Sequence, residues 1–308
     1  MDDSGQTILI TGATGQVGGA ALRALGRPVR VLARSAVEAP GTRPAVGVPR
    51  AHSSAGVDGV EVVAGSFDDP ASLRVALDNV DILFLAGRDN PDQVAQHERV
   101  LAVAASTGVR HVVKLSAIGA RADSPVALMR WHAAVEERLR SSAFAWTFLR
   151  PHLYMQNLLR FAGDVASAGR IAAPMGVARY PLVDTRDVGA AAASVLRDPA
   201  AHAGATYALT GPAALAYADV AAALSSLLSR PVAYEALEPA TYRSALLDAD
   251  VPPWRADDLA AIASAYSDAD NEPTPALAEL LGRPATPFSA FLADHRDTFL
   301  AGASRSHL

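Results

Sequence analysis

The stretch TILITGATGQVGGAAL, residues 7–22, passes from an apolar run through a glycine-rich turn to small and apolar residues at helical spacing. Its apolar start predicts a β-strand over 7–11, and its second half predicts a helix over 16–25. Glycines stand at positions 12, 15 and 18. A strand, such a turn and a helix are typical of a site for the diphosphate of a dinucleotide. There the helix N-terminus offers free N–H groups and a partial positive charge.

Each glycine of this turn has a separate expected role. Gly12 permits the tight turn, Gly15 lets the diphosphate approach the backbone, and Gly18 lets the helix pack close to the sheet. The other residues of the turn expected to contact the cofactor are Thr14, Gln16 and Val17.

The residue that closes the next predicted strand decides which dinucleotide is expected. Arg34 stands there, about 20 residues beyond the turn, where an NAD-binding chain carries Asp or Glu. A guanidinium with Ser35 beside it offers donors to a ribose 2′-phosphate, which a carboxylate would repel. NADP(H) is therefore the expected cofactor, in preference to NAD(H).

The first half of the chain alternates strands and helices. Further strands are predicted over 29–34, 60–65, 80–87, 109–117 and 145–151, and further helices over 69–77, 91–107 and 126–142. Apolar strands alternating with helices predict a Rossmann-type α/β fold, a doubly wound parallel sheet covered on both faces. The intervening segment 35–59, rich in Pro, Gly and Ala, is expected to be a long, mobile surface loop.

The second half has a weaker pattern. It predicts a short strand and a helix over 180–198, a strand over 205–211, a helix then a strand over 217–237, and mostly helix from 239 onward. We expect an NADP-binding domain over 1–155. A smaller, mostly helical substrate-covering lobe over 156–308 would be partly interleaved with it.

Composition excludes several classes of function. The 308 residues carry a net charge of −5 and no cysteine. A nucleic-acid surface is therefore not expected, nor a disulfide framework, a thiolate nucleophile or a cysteine-based metal site. No two of the eight histidines stand at helical metal-ligand spacing, so no metal site is expected. The acidic start has no signal-peptide pattern, and no apolar run is long enough for a membrane span. We expect a cytoplasmic protein with a small-molecule substrate, and a homodimer is the default assembly.

The segments TGATGQVG, VRVLARS, RWHAAVEERLRSS and TFLRPHLYMQNLL resemble the NmrA-like, atypical short-chain dehydrogenases/reductases. The resemblance covers most of the chain and is densest over 7–159. That family includes NADPH-dependent quinone reductases and NADP-sensing regulators. The resemblance implies the same fold and cofactor, and it leaves the substrate open.

The chain departs from the wider superfamily, whose members use Tyr and Lys four residues apart as proton donor and activator. Lys114, the only lysine, has Arg110 four positions earlier. We attribute the scarcity of lysine to codon bias and interpret Lys114 as a possible solvent contact. The predicted helix carries His132 and Glu136 one turn apart instead. His132 could donate a proton or orient a carbonyl, and Glu136 could hold its tautomer.

The resemblance also assigns site residues to the strand ends, where ligands of open α/β sheets bind. Position 132 and the residues Leu85, Ala86 and Gly87 would lie near the nicotinamide ribose. Ser66, where the family often has an acid, and Phe67 would lie near the adenine. Along the nicotinamide amide would run Pro151, His152, Leu153 and Asn157. Tyr154 is a candidate phenolic donor, and Ser116 a substrate-binding hydroxyl or an ordinary strand-end serine.

Three functions remain open on these grounds. The first is an NADPH-dependent reductase of a quinone, ketone or imine in a small, aromatic or polycyclic molecule. A quinone needs little protein acid, which suits a chain without the Tyr–Lys pair. The second is a non-redox tailoring enzyme, an isomerase or cyclase. The third is an NADP-sensing regulatory protein that signals through segment 35–59.

Overall fold

A computed structural model describes residues 5–34, 43–44 and 59–302. Within them, one sheet holds eight strands, all parallel, in the order β10-β7-β6-β5-β1-β2-β4-β3. The strands of this sheet are β1 (Ile8–Ile10), β2 (Val29–Ala33), β3 (Arg43–Pro44), β4 (Val60–Ala64), β5 (Ile82–Leu85), β6 (His111–Leu115), β7 (Ala145–Pro151) and β10 (Thr206–Leu209).

Two short pairs complete the described strands. They are β8 (Arg170–Ala173) with β12 (Ala233–Ala236), and β9 (Arg179–Tyr180) with β11 (Leu215–Ala216). The first six helices are α1 (Gln16–Leu25), α2 (Pro70–Leu77), α3 (Gln93–Thr107), α4 (Ala127–Arg140), α5 (Ala162–Ala168) and α6 (Thr185–Arg197). Those that follow are α7 (Tyr217–Leu228), α8 (Pro239–Asp248), α9 (Pro253–Ala261), α10 (Ala276–Leu281), α11 (Phe288–Asp294) and α12 (Arg296–Ala301).

Helices cover both faces of the sheet because its strands are apolar on both sides. Ile8 and Ile10 of β1 pack with α1 and α6 on one face. Leu9, between them, packs with α2, α3 and α4 on the other. Alternate residues of a strand point to opposite faces. This is the Rossmann-type arrangement that the sequence predicts.

The sheet order reverses at β1, which lies between β5 and β2. Ligands of open α/β sheets bind outside the carboxyl ends of the strands at such a reversal. The residues after β1, β2 and β5 are therefore placed together at one edge.

The predicted elements of the first half are present, with ends shifted by a few residues. The helix over 16–25 and the strand over 145–151 have the predicted bounds. Within the predicted loop 35–59, Arg43–Pro44 forms β3 and pairs with β4. Residues 35–42 and 45–58, on which the expectation of a mobile loop falls, lie outside the described residues.

The second half contributes to both the sheet and a separate cluster. α6 packs on α1, and β10 extends the sheet beside β7. A second hydrophobic cluster forms around α5, α7, α11 and α12. Interleaving of this kind is what the sequence predicts for 156–308, and the division at residue 155 stays a prediction.

Candidate functional site

The glycine turn is fastened to the end of β5. The Thr11 hydroxyl accepts the Ala86 N–H at 2.9 Å, and it lies 2.7 Å from the Ala86 carbonyl oxygen. Gly12 has a φ of 65°, in the left-handed region that favours glycine. A Cβ on Gly18 would stand 2.2 Å from the Gly12 carbonyl oxygen. The first turn of α1 therefore passes over the backbone of the loop with no room for a side chain.

The N-terminus of α1 is open to a ligand. Gly15 is its N-cap residue and provides no side-chain cap. Thr14, Gly15 and Gln16 are exposed, whereas the Val17 side chain is buried in the core and leaves only its backbone for a cofactor contact. Uncapped amides at a helix N-terminus attract anions. These residues fit the diphosphate of a dinucleotide.

Of the two residues expected to select the 2′-phosphate, the structure describes one. Arg34 directly follows β2 and is exposed at the carboxyl edge, close in the fold to the glycine turn after β1. Ser35 lies outside the described residues.

Ser66 and Phe67 form a turn after β4. The Ser66 hydroxyl accepts the Asp68 N–H at 3.2 Å, and Arg99 donates to the Phe67 carbonyl at 2.8 Å. The Phe67 ring meets His97 of α3 edge to face, with 5.6 Å between ring centroids. This turn forms the side of the edge where the resemblance places the adenine.

The end of β5 presents backbone rather than side chains. Leu85 and Ala86 are buried. Gly87 is exposed, and a Cβ there would stand 2.8 Å from His97 Nε2. A ligand at this edge can therefore contact the Gly87 backbone closely, with the His97 ring beneath it.

Lys114 is not a solvent contact, which corrects the interpretation made from the sequence. Its side chain is 0% exposed and points to the sheet face covered by α3 and α4. Both faces of a parallel sheet are covered, so a lysine side chain at this position is enclosed by protein. Its ammonium donates to the Leu115 carbonyl and lies 3.2 Å from His132 Nδ1. Burial lowers the pKa of Lys114 to about 8, although Glu136 and Asp89 raise it.

His132 of α4 is bonded to Lys114, whereas the sequence suggested Glu136. The ring is 8% exposed. Burial, followed by the charge of Lys114 and then by His97 and Arg150, holds the pKa of His132 well below its usual range. The imidazole is therefore neutral at neutral pH.

Glu136 belongs to a separate ionic cluster. It is 0% exposed, and Arg150 binds it with both Nε and Nη2, at 2.8 and 2.5 Å. Arg140 adds a bond of 2.8 Å. The Ser116 hydroxyl donates to Glu136 Oε1 at 2.6 Å. The Ser116 hydrogen is thus used within the protein, so Ser116 can meet a substrate only as an acceptor.

Asp89 and His97 complete the charged surroundings of this cluster. Burial raises the pKa of Asp89, against the opposing influence of Arg255 and Lys114. Burial and Lys114 lower the pKa of His97, whose Nδ1 has no partner among the described residues. Burial and Asp89 raise the pKa of Tyr154, so its phenol keeps its proton at neutral pH.

The segment after β7 is tied into the protein. Pro151 and His152 are buried, and Leu153 and Asn157 are partly buried. His152 Nδ1 accepts the Leu153 N–H at 2.8 Å, and Nε2 lies 3.2 Å from Asn271 Oδ1. Both ring nitrogens of His152 are occupied, so a cofactor contact of this residue would have to use carbon or backbone atoms.

The C-terminal lobe fixes the helix that carries His132. The α4 N-cap, Val126, has no side-chain cap. Asp258 of α9 supplies it instead, accepting the Ala127 and Leu128 N–H groups at 2.7 and 2.9 Å. Trp254 of α9 packs on Trp131 of α4, with ring centroids 5.5 Å apart. The position of His132 therefore depends on α9.

The structure brings most of the predicted site residues to one edge of the sheet. The glycine turn, Arg34, Gly87 and the residues after β7 all follow strands at this edge. Sequence reasoning assigned no role to His97, Asp89 or Asp258, and it misjudged Lys114. The signal for Lys114 was available, since a charged residue stands inside an otherwise apolar strand.

Two further observations concern a metal site and a membrane-spanning helix. Among residues 5–34, 43–44 and 59–302, no three His, Asp or Glu side chains converge closely enough to hold a metal ion. None of the described helices combines the length and the apolar character that a membrane span requires.

Comparison with known proteins gives relatives along nearly the whole chain. It is 38% identical over 297 residues to a (4-alkanoyl-5-oxo-2,5-dihydrofuran-3-yl)methyl phosphate reductase of Streptomyces griseus subsp. griseus, covering 95% of this chain and 99% of the relative. It is 33% identical over 296 residues to an NAD(P)H azoreductase of Xenophilus azovorans, with the same two coverages.

A solved structure and a family model extend this result. An NADPH-dependent quinone oxidoreductase of Escherichia coli, crystallised with NADPH, superposes with a TM-score of 0.79 at 26% identity, covering 93% of this chain and 99% of the other. The model of the NmrA-like family matches residues 4–283. The chain belongs to the NmrA-like family.

Proposed function

We propose that this chain is an NADP(H)-dependent oxidoreductase that reduces a small, flat, aromatic or polycyclic quinone, ketone or imine. The single observation that carries the proposal is the shared edge of the sheet. An uncapped helix N-terminus and Arg34 stand at this edge, and the buried His132 contacts Lys114 near the carboxyl end of β6.

The cofactor half of the proposal rests on the fit of the glycine turn. The backbone of residues 12–18 would hold the diphosphate, and Arg34 would bind the 2′-phosphate. The Escherichia coli relative, crystallised with NADPH, supports the same cofactor. When bound, the dinucleotide supplies a hydride to the acceptor.

The chemical half rests on what the chain's own side chains can do. His132 is neutral, so it acts as a hydrogen-bond donor toward the oxygen or nitrogen that gains negative charge. Tyr154 keeps its phenolic proton and is a second candidate donor. Trp254 of α9 packs on Trp131 of α4, and both rings are partly buried, so this contact shields part of α4 from water.

The acceptor decides how much the reaction depends on a protein acid. A quinone leaves a stabilised phenolate that needs little protonation, whereas a ketone or an imine needs the proton that His132 would supply. Relatives act on an azo compound, a dihydrofuranone phosphate and a quinone. All three have a conjugated acceptor, which supports a flat substrate.

The experiment is a panel of acceptors with NADPH and NADH, read by loss of reduced cofactor and by product analysis. We expect turnover of at least one quinone, conjugated ketone, cyclic imine or azo dye, with NADPH preferred. Arg34→Glu should weaken NADPH binding about 100-fold by removing charge-assisted bonds and adding repulsion. Arg23→Glu, in the last turn of α1, is the control with the same change in charge.

Two outcomes would contradict the proposal. Substrate conversion without net loss of NADPH would indicate an isomerase or cyclase. Tight NADPH binding with no conversion of any acceptor, and with unequal affinities for the oxidised and reduced cofactor, would indicate a sensor.

A further inference from the structure

We propose that Lys114 is the positioning residue of His132. Its ammonium donates a hydrogen bond to Nδ1, which keeps the ring proton on Nε2. When Nε2 gives up that proton, the ammonium transfers one of its own to Nδ1. The inference rests on the proposed function, in which His132 is the donor to the reduced acceptor. It gives the only lysine of the chain a chemical role that follows from the groups around it.

The tautomer follows from the partners of the ring. A lysine ammonium has three hydrogens to donate and accepts none. Nζ stands 3.2 Å from Nδ1, so Nδ1 must be the acceptor. A neutral imidazole carries one proton, which is therefore on Nε2. His132 presents an N–H at Nε2 in every cycle.

The same contact supplies a proton without a charged imidazole. The acceptor's anionic oxygen or nitrogen takes the hydrogen of Nε2, and Nδ1 takes one hydrogen from Nζ. The sum is one proton moved from the ammonium to the product, leaving a neutral amine and a neutral imidazole. Water returns the proton to Nε2 after product release, and Nδ1 returns its own to Nζ. The low pKa of His132, which makes a lone imidazolium inaccessible, is no obstacle to this exchange.

The charged groups around Lys114 suit a proton that leaves and returns. From α4 it faces His132 and Glu136, from α3 His97, and from the loop after β5 Asp89. Arg150 of β7 holds Glu136 with two bonds. Burial lowers the pKa of Lys114 to about 8, although the carboxylates Glu136 and Asp89 oppose this shift. That value lies near working pH, as an efficient proton donor requires.

The first test uses the protein without substrate. Because Lys114 is the only lysine, selective isotope labelling of lysine side chains gives one NMR signal that needs no assignment. We expect it to titrate near pH 8, and nitrogen signals of His132, identified by their loss in His132→Gln, to show a proton on Nε2 only. A lysine titrating at its ordinary pKa, or a proton on Nδ1, would overturn the proposal.

The second test separates positioning from packing. Lys114→Met keeps the length of the side chain and removes the hydrogen-bond donor. Lys114→Gln keeps a neutral hydrogen-bond donor that cannot transfer a proton. We expect Lys114→Met to redistribute the His132 tautomers and slow ketone or imine reduction about 100-fold. Lys114→Gln should restore the Nε2 proton and only part of the rate. The wild-type rate should fall as pH rises through about 8, and neither variant should show that decline.

Failures of the two proposals look different. If an acceptor is reduced and Lys114→Met keeps both the rate and the pH profile, Lys114 is a structural residue and the inference fails alone. If the NMR signals agree but no acceptor is reduced, the proposed function fails. NADPH binding, measured for every variant, shows that the fold is intact.

Discussion

Burying the only lysine should make the protein less stable at neutral pH than it is in mild alkali. The Lys114 ammonium is fully enclosed between β6 and helices α3 and α4. Its pKa falls from 10.5 in the unfolded chain to about 8 in the folded protein. The folded state therefore binds fewer protons than the unfolded state between these two values. Stability rises with pH wherever the unfolded state binds more protons.

The size of the effect follows from the two pKa values. Over each pH unit in which the unfolded chain holds a proton that the folded protein lacks, the free energy of unfolding changes by about 1.4 kcal/mol. At neutral pH the enclosed charge costs about 3 kcal/mol relative to a neutral amine. Raising the pH from about 7 to about 9.5 should recover about 2 kcal/mol of this cost.

The assay is urea unfolding of the wild type and of Lys114→Met across this pH range. Other groups, the tyrosines above all, titrate in both proteins, so only the difference in unfolding free energy is informative. The wild type should gain about 2 kcal/mol on the variant as the pH rises. A difference that stays constant, or that changes in the opposite direction, would refute the burial of a charged Lys114.

Two other substitutions test the surroundings of the site. Gly18→Ala places a Cβ 2.2 Å from the Gly12 carbonyl oxygen, so it should displace the glycine turn and abolish NADP(H) binding in calorimetry. The control Arg23→Ala, at an exposed position in the last turn of the same helix, should bind within a few-fold of wild type. Asp258→Ala should cost about 1 to 2 kcal/mol in thermal unfolding, because the N-terminus of α4 loses its two cap bonds. An unchanged melting temperature would show that α4 does not depend on this cap.

The sequence contains enough to predict the frame of the site. The glycine turn, the apolar strands and the alternation with helices predict the parallel sheet and the edge at which its ligand binds, because strand and helix periodicities are local. Asp69 before Pro70 predicts the start of α2, and its side chain does accept the Ala71 N–H. Short strands such as β8 and β11 were missed because they owe their existence to partners far along the chain.

The contacts of the site were harder to predict, for the same physical reason. His132 and Glu136 share a helix face, so the sequence suggested a bond between them. Arg150, fourteen residues further on, instead binds Glu136 with two nitrogens, since a guanidinium matches a carboxylate better than an imidazole does. The burial of Lys114 could have been predicted, because strand alternation places its side chain on a face of the sheet that helices cover. Asp258 could not, because its partners lie 130 and 131 residues away.

The buried ammonium of Lys114 depends on α4, because this helix carries its hydrogen-bond partner His132. Nζ belongs to β6, and Nδ1 belongs to a helix whose N-terminus is held by α9. A hydrogen bond of 3.2 Å weakens steeply with a further displacement of a few tenths of an ångström. Any movement of α9 that loosens α4 therefore acts directly on the Lys114–His132 pair. The C-terminal part of the chain that carries α9 is thus connected through α4 to the group proposed to donate the proton.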